Sequence, residues 1–298
     1  MATLRDIKRR IRSVRSTQQI TKAMELVAAA KLRKAQVRAL QARPYAQGME
    51  DMLRNLGGTL SAMQHPLAEV RPVKARALVV FASNRGFAGS YNANLVRTTE
   101  SLLRGPEGSS LRLVLIGRKV GEYFRRRSWP IAHAYTDLPD QAEYDVALRV
   151  TQKLVEMFRS GEVDAVDLVY SQFVSAMTRR VVRETLLPIG GTPAGTSSAA
   201  ASGAGSEAEA GKARDYIFEP GAPELVGRLL PRYATTRVLQ AFAEAYASEH
   251  SARMLAMGSA RKNAGDLIDS LVLKRNRLRQ ASITKEISEI VGGAEALK

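Results

Sequence analysis

Apolar residues recur at helical spacing at the N-terminal end of the chain. The positions, three and four residues apart, are Leu4, Ile7, Ile11, Val14, Gln18, Thr21, Glu25, Ala28, Leu32, Ala35, Ala39 and Ala42. This repeat predicts a heptad seam whose middle is small or polar, on a helix that spans residues 1–57. Thr3 is the predicted N-cap and Asp6 its capping-box acid. Pro44 predicts a kink, and Gly57 predicts the end of the helix.

A second helical pattern occupies the C-terminal region, residues 215–298. From about Arg232 to Val291 it contains no proline, and its only glycines are Gly258 and Gly265. A helix of that length is about 90 Å long, at about 1.5 Å per residue. It is too long for one compact core, which predicts a coiled coil with the N-terminal helix. The two helices run antiparallel if the segment between them is a globular domain with adjacent entry and exit. Two separate amphipathic helices folded on a globular core are the alternative.

Compact apolar runs alternate with helical patterns in the middle of the chain, residues 74–190. Strands are predicted at 76–82, 111–117, 130–135 and 165–173, with an edge strand at 179–189. This alternation is typical of a small, mostly parallel sheet with right-handed crossovers, so the fold class is α/β. Residues 191–214 are rich in Ala, Gly and Ser, and they predict a flexible surface loop.

Composition excludes several classes of protein. The chain has 298 residues, with 45% apolar and 25% charged side chains, and no run of 18 apolar residues that would span a membrane. Its start, MATLRDIKRR, is not a secretory signal. The absence of cysteine excludes disulfides, thiolate nucleophiles and cysteine-based zinc sites. A cytoplasmic location is therefore expected.

The net charge of +16 is concentrated at the N-terminal end. Residues 1–57 hold 13 Lys or Arg against 4 Asp or Glu, a balance of +9. A basic helix of this kind suits nucleic acid, an anionic membrane surface or an acidic protein partner. Charge alone does not choose among them.

Candidate catalytic chemistry is sparse. The turn at 83–90 joins a predicted strand to a helix and contains glycine, an arrangement that can hold phosphate on backbone N–H groups. It matches neither GxGxxG nor GxxxxGK[ST], so a tight turn that needs glycine is the favoured interpretation. The three histidines are scattered, and Asp266 and Asp269 fit a solvated helix face. We therefore predict no catalytic, cofactor-binding or metal-binding residue.

Polar residues interrupt the apolar stripes of both terminal helices. The N-terminal seam carries Gln18, Thr21 and Glu25, and the C-terminal helix carries Asn276, Arg279 and Gln280 among Leu278, Ile283 and Ile287. A coiled coil built for stability alone has Leu, Ile or Val at most such positions. This pattern favours a rod that turns or slides against a surrounding surface.

Three stretches resemble the gamma subunit of F-type ATP synthase. They are residues 5–36, which contain ITKAMELVAAAK, residues 247–268, and residues 279–297, which contain RQASITKEISEIV. The turn SNRGFAGSYN resembles the strand-to-helix segment of the same family, although that family usually has Asp at Asn84. The resemblance covers effectively the whole chain.

The resemblance implies a shaft without chemistry of its own. It implies a long antiparallel coiled coil of the terminal helices plus a central Rossmann-like α/β domain. The helices enter a hexamer of alternating alpha and beta subunits, and the α/β domain stands with the epsilon subunit on the membrane ring of c subunits. Proton-driven rotation of that ring changes the catalytic beta sites. The implied place is peripheral to the membrane, on the cytoplasmic face of a bacterial plasma membrane, with no cofactor.

The resemblance also implies contact residues. Those facing the beta subunits are Thr21, Lys22, Met24, Asn276, Arg279 and Gln280, and those at the foot near the c-ring are Tyr216 and Glu219. Two other functions compete with this interpretation. One is a basic coiled coil that binds nucleic acid, although no aromatic residue precedes Tyr45 on the basic helix. The other is a nucleotide-binding α/β enzyme.

Overall fold

The computed structural model of the protein describes residues 3–55, 65–136, 138, 143–189 and 222–295. The helices are α1 (Leu4–Asn55), α2 (Tyr91–Arg104), α3 (Arg118–Arg125), α4 (Tyr144–Arg159) and α5 (Ala222–Glu295). The strands are β1 (Arg76–Phe81), β2 (Leu111–Ile116), β3 (Ile131–Tyr135), β4 (Ala165–Phe173) and β5 (Arg179–Leu187). The chain divides into two compact units. The helix-pair unit comprises residues 1–30 and 253–298, and the sheet unit comprises residues 31–252.

Helix α1 begins with the predicted capping box. The backbone N–H of Asp6 donates to Thr3 Oγ1 at 3.2 Å, and the backbone N–H of Thr3 donates to Asp6 Oδ2 at 3.3 Å. The Thr3 hydroxyl also donates to Asp6 Oδ2 at 2.7 Å, and this bond, followed by the one from the Thr3 backbone N–H, lowers the pKa of Asp6. The helix continues through Pro44 to Asn55. The predicted end at Gly57 lies outside the described residues.

Helix α5 begins at Ala222, ten residues before the Arg232 predicted from the absence of proline, and it includes Pro231. Its first six turns pack on the sheet through a buried stripe three or four residues apart: Val226, Leu230, Ala234, Val238, Ala241 and Ala245. Pro231 has no backbone N–H to donate, and its ring crowds the carbonyl oxygen of Gly227, four residues earlier. Burial of the stripe outweighs the local penalty of the proline.

The sheet has the strand order β3-β2-β1-β4-β5. Strands β1 to β4 pair in parallel, and β5 is antiparallel to β4 at the edge. The five predicted strands are therefore confirmed. Alternate residues of β1 and β2 enter two separate cores. Val79 and Phe81 pack with α4 and α5, whereas Leu78 and Val80 pack with α2 and α3. Because both faces are covered, these strands read as continuous apolar runs.

The terminal helices pair antiparallel in the helix-pair unit. Gln18 lies beside Gly265, and Glu25 lies beside Gly258 and Arg261. Residue numbers therefore increase along α1 in the direction in which they decrease along α5. Ile7, Ile11 and Leu271 form a small buried cluster at the other end of the pair, with Val14, Val272 and Leu278 against it. The predicted seam is confirmed from Leu4 to Ala28 because each seam residue in that range is buried or half-buried.

Within the described ranges, no helix combines the length and the apolar character needed to cross a membrane.

Candidate functional site

The turn after β1 uses its polar groups internally. Ser83 Oγ donates to the carbonyl oxygen of Arg85 at 2.7 Å, and the Ser83 backbone N–H donates to Asn92 Oδ1 at 3.2 Å. Asn84 Nδ2 donates to the carbonyl oxygen of Leu138 at 3.0 Å, and its Oδ1 accepts from the backbone N–H of Arg118 at 3.1 Å. An aspartate at position 84 can accept the bond from the Arg118 backbone N–H, but it has no N–H group to donate to the carbonyl oxygen of Leu138.

The titratable groups singled out in the sequence lie apart. His65 accepts a hydrogen bond from the Leu67 backbone N–H in a turn, and burial followed by the charge of Arg159 lowers its pKa. His133 lies on β3, and His250 lies on α5 with its ring edge against Tyr246. Among the described residues, no group of three or more His, Asp or Glu side chains is arranged to hold a metal ion.

The place where such a sheet normally binds a ligand is filled by helix α5. Ligands of open parallel sheets bind outside the carboxyl ends of the strands, where the crossovers diverge, which here is between β1 and β4. The ring of Phe242 on α5 lies edge-on to Phe81 at the end of β1, with centroids 4.9 Å apart. Tyr91 Oη donates to the carbonyl oxygen of Ala245 at 3.2 Å. The crevice is therefore part of the core.

Side chains of α5 also bond the backbone of β4. Ser248 Oγ donates to the carbonyl oxygen of Ser171 at 2.7 Å, and Glu244 Oε2 accepts from the backbone N–H of Phe173 at 2.8 Å. Ser251 Oγ donates to the carbonyl oxygen of Ala176 just beyond the strand. Helix α5 is thus fixed to the sheet by directional bonds as well as by apolar packing.

A further bond ties α5 to the edge strand. Arg237 Nη2 donates to Glu184 Oε2 of β5 at 2.8 Å. Burial, followed by the charge of Glu184 and its hydrogen bond, raises the pKa of Tyr170 far above its usual range. The tyrosine therefore stays protonated and serves as a hydrogen-bond donor in this cluster.

The helix-pair unit places polar side chains opposite glycines. A Cβ on Gly265 would lie 3.2 Å from Gln18 Nε2, and one on Gly258 would lie 3.3 Å from Glu25 Oε1. Arg261 Nε donates to Glu25 Oε2 at 2.8 Å. Gln18 and Glu25 are one heptad apart, as are Gly258 and Gly265. The glycines therefore leave room for two polar layers in the seam.

The contact residues predicted on α1 differ in exposure. Thr21 is 8% exposed, and its Oγ1 donates to the carbonyl oxygen of Gln18 at 3.0 Å. Met24 is half-buried, and Lys22 is exposed. Only Lys22 of these three presents most of its side chain outward.

The contact residues predicted on α5 lie further along the pair. Asn276 is half-buried, and its Oδ1 accepts from Arg275 Nη2 at 3.1 Å, whereas Arg279 and Gln280 are exposed. Because Lys22 lies near the level of Arg261, it is separated from Arg279 by roughly 27 Å along the axis. The predicted residues thus form two levels rather than one cluster. Tyr216 and Glu219 lie outside the described residues.

The last turns of α5 stand without α1 beside them. Helix α1 begins at Leu4, and Leu278 is the last residue of α5 that packs on the cluster around Ile7. All residues from 281 to 292 are exposed, and several carry large apolar side chains: Ile283, Ile287, Ile290 and Val291. Ile283 and Ile287, predicted as part of an apolar stripe, therefore lie outside the seam.

Sequence reasoning missed the bonds that join distant segments. The Glu25–Arg261 ion pair and the bonds of Glu244 and Ser248 to β4 connect residues more than 70 positions apart. The matching heptad spacing of Gln18 and Glu25 with Gly258 and Gly265 was the available signal for the first. Periodicity contains no comparable signal for the second.

Comparisons with known proteins agree along the whole chain. The family model described as ATP synthase matches residues 3–297. An ATP synthase gamma chain of Moorella thermoacetica is 47% identical over 298 residues, covering all of both chains. One from Heliobacterium modesticaldum is 45% identical over 297 residues, again covering all of both chains.

Two solved structures share the fold at lower identity. A chain of the Euglena gracilis mitochondrial ATP synthase, in a structure of OSCP, F1 and c-ring, matches with a TM-score of 0.68 and 19% identity. The match covers 99% of this chain and 94% of that one. A chain of the Tetrahymena thermophila mitochondrial ATP synthase, from a central stalk and c-ring structure, matches with a TM-score of 0.59 and 22% identity. It covers 81% of this chain and 99% of that one.

Proposed function

This chain belongs to the ATP synthase gamma chain family, and we propose that it is the central rotor shaft of an F-type ATP synthase. The shaft couples proton-driven rotation of the c-ring to conformational change at the catalytic sites of the beta subunits. It contributes no active site to ATP synthesis or hydrolysis. The filled crevice between β1 and β4 supports this last point, because α5 occupies the place where a nucleotide would bind.

The observation that carries the proposal is the solitary end of α5. Residues 281–292 form a continuous helix that is exposed throughout, with Ile290 72% exposed and Ile287 56% exposed. Isolated helical turns are marginal in water, and large exposed apolar side chains mark an interaction surface. A surrounding ring of alpha and beta subunits supplies that missing surface.

Exposure divides the proposed contact residues into two roles. Lys22, Arg279 and Gln280 point away from the helix pair and meet the beta subunits directly. Thr21, Met24 and Asn276 are buried or half-buried, so they act by holding the shape of the pair. An arginine suits the first role because it makes directional, charge-assisted bonds with carboxylates.

The sheet unit serves as the foot of the shaft. The related Euglena and Tetrahymena chains come from structures that contain the c-ring, which supports a position beside the c-subunit ring. The epsilon subunit is a further proposed neighbour at this position. Tyr216 and Glu219 are the proposed contacts with the c-ring. The chain associates with the membrane only through this complex, on the cytoplasmic face.

Co-expression with the alpha and beta subunits of the same organism tests the proposal. We expect the full chain to co-purify with both subunits, and we expect ATP-driven rotation of a bead fixed to the sheet unit. A chain ending at Gln280 should bind the hexamer more weakly, because it lacks the exposed apolar turns. A control substitution, Asp269→Asn on the same helix, should change neither result.

Two outcomes would contradict the shaft function. The first is a full chain that stays apart from the alpha and beta subunits. The second is sequence-selective binding of DNA or RNA, since salt-sensitive binding without preference reflects only the charge of +16.

A further inference from the structure

Strand β4 extends beyond its parallel neighbour. Its pairing with β1 runs from Ala165 to Val169, whereas its pairing with β5 continues to Phe173. Ser171 and Phe173 therefore lie beyond Val169, the last residue of β4 that pairs with β1. A buried backbone group without a partner is strongly unfavourable.

Helix α5 supplies the partners that β1 does not. Ser248, fully buried, donates its hydroxyl to the carbonyl oxygen of Ser171 at 2.7 Å. Glu244, one turn earlier, accepts the backbone N–H of Phe173 at 2.8 Å. The two side chains take the place of the next residues of a neighbouring strand.

We propose that Glu244 and Ser248 are positioning residues that fix the rotational setting of α5 on the sheet and thereby pass torque between them. This inference rests on the proposed shaft function. Neither residue needs to contact the catalytic subunits for this role. Both act through the orientation of the helix.

The apolar contact alone is poorly suited to resist rotation. Alanines make up half of the buried stripe on α5, and these small side chains interlock shallowly with the sheet: Ala234, Ala241 and Ala245. Phe242, packed edge-on to Phe81, is a larger contact at one position. Hydrophobic burial is non-directional, whereas a hydrogen bond weakens steeply as its angle departs from linearity. Turning the helix about its own axis therefore breaks the two bonds before much apolar area is exposed.

Two neighbouring bonds limit the same motion. Arg179 Nη1 donates to Ser251 Oγ at 3.2 Å, and Ser251 in turn donates to the carbonyl oxygen of Ala176. These contacts lie at the turn between β4 and β5. They support the orientation set by Glu244 and Ser248 but involve a shorter and more exposed segment.

The test uses the assembled ATP synthase in inverted membrane vesicles. The variant combines Glu244→Ala with Ser248→Ala, and the matched control combines Glu224→Ala with Ser270→Ala. Glu224 pairs with Arg228, and Ser270 donates to the carbonyl oxygen of Leu267, so the bonds of both control residues to the described part of the chain lie within α5. ATP hydrolysis, proton pumping against an imposed gradient and hydrogen exchange are measured on each complex.

We expect two changes in the variant and neither in the control. Amide exchange at Phe173 should become roughly tenfold faster, because its acceptor is lost. Pumping per ATP hydrolysed should fall under load, while hydrolysis stays at the control rate. Faster exchange with unchanged pumping would overturn the inference and leave these bonds with a purely structural role.

Single substitutions cover the case in which the double variant does not accumulate. Ser248→Ala removes its donor and should lower the pumping ratio, whereas Glu244→Gln keeps an acceptor oxygen and should preserve it. Equal ratios in these two variants would contradict the inference. Failure of the unaltered chain to enter the complex would instead contradict the shaft function.

Discussion

The sheet unit and the helix-pair unit are held together by different kinds of contact. The sheet unit encloses large side chains completely, among them Phe81, Phe124 and Leu113. The seam of the helix pair consists of small or partly exposed residues around one cluster of Ile7, Ile11 and Leu271. The sheet unit can therefore supply its own stability, whereas the helix pair depends more on what surrounds it.

Charged groups follow the same division. Asp167 on β4 is 1% exposed and accepts from Arg76 Nη1 at 2.9 Å and from Arg183 Nε at 2.7 Å. Glu25 and Arg261 of the helix pair keep 26% and 46% of their side chains exposed. Removal of one partner is costly only where the other stays buried. The buried carboxylate of Asp167 with its two arginines and the more exposed Glu25–Arg261 pair thus offer a direct comparison of the units.

The largest effect is expected from Asp167→Ala. The substitution leaves two partly buried guanidinium groups without their shared carboxylate, so the free energy of unfolding should fall by about 3–5 kcal/mol. Chemical denaturation of the purified chain measures this change.

The matched substitution in the helix pair is Arg261→Ala, which should lower the free energy of unfolding by about 1 kcal/mol or less. Similar losses in the two variants would show that the two units do not differ in how they use charge.

The next effect compares two leucines. Leu113 on β2 is 0% exposed, and Leu271 on α5 is 8% exposed in the seam. Leu113→Ala should destabilise the protein by about 3–5 kcal/mol, and Leu271→Ala by about 2 kcal/mol, because a shallow seam collapses around a deletion more easily than a closed core. Thermal unfolding followed by circular dichroism measures both. A larger loss at Leu271 would reverse the comparison.

The two units also differ in how much the sequence predicts of them. The strands were predicted because buried parallel strands read as apolar, β-branched runs, as in the segment 76–81. The seam was predicted because its spacing of three and four persists even where Gln18 and Glu25 replace apolar residues. In both cases the information is local and repeats along the chain.

The missing parts depend on partners that are distant in sequence. Helix α5 begins at Ala222 because its first turns are buried on the sheet, a tertiary effect that outweighs Pro231. In the sequence, nothing distinguishes Ser248 and Glu244 from the other polar residues of α5. They bond the backbone of β4 because that strand continues beyond its pairing with β1. No pattern within α5 indicates that mismatch.

A third prediction concerns function rather than stability. Arg279→Ala with Gln280→Ala should lower ATP turnover of the assembled complex about fivefold, the effect of losing roughly 1 kcal/mol of shaft contacts. Subunit composition and helicity should stay unchanged, because both side chains are exposed in the chain itself. Lys262→Ala, at an exposed position of α5 outside the proposed contact residues and outside residues 281–292, is the control. Turnover at the unaltered rate would show that Arg279 and Gln280 are solvated residues of the helix surface and make no functional contact with the beta subunits.

A fourth prediction concerns acid stability. A hydrogen bond from Arg183 lowers the pKa of Glu107, and backbone N–H groups of Ala75 and Lys74 lower the pKa of Asp164. A carboxyl group with a lowered folded pKa stabilises the protein above its ordinary pKa, and this contribution is lost as the pH falls through the folded value.

Unfolding of the sheet unit should therefore become easier below about pH 4.5, the usual pKa of glutamate. Glu107→Gln should flatten this dependence, with the exposed Glu69→Gln as control. The effect is small because both carboxyl groups lie near the surface. Denaturation of the two variants across pH 3–7 separates their slopes, and parallel slopes would contradict the assignment.

The smallest effect on function is expected from deletion of residues 192–212. These residues lie outside the described ranges, and their composition brings no large apolar side chain to either unit. Eleven residues remain between Ile189 and Ala222 after the deletion. Because closure entropy varies with the logarithm of loop length, the free energy of unfolding should change by only about 1 kcal/mol.

Assembly of the deletion variant with the alpha and beta subunits, and ATP turnover of the assembled complex, should match those of the full chain. Loss of assembly would show that the segment packs on a partner subunit. The segment would then contribute to assembly in addition to the sheet unit and the helix-pair unit.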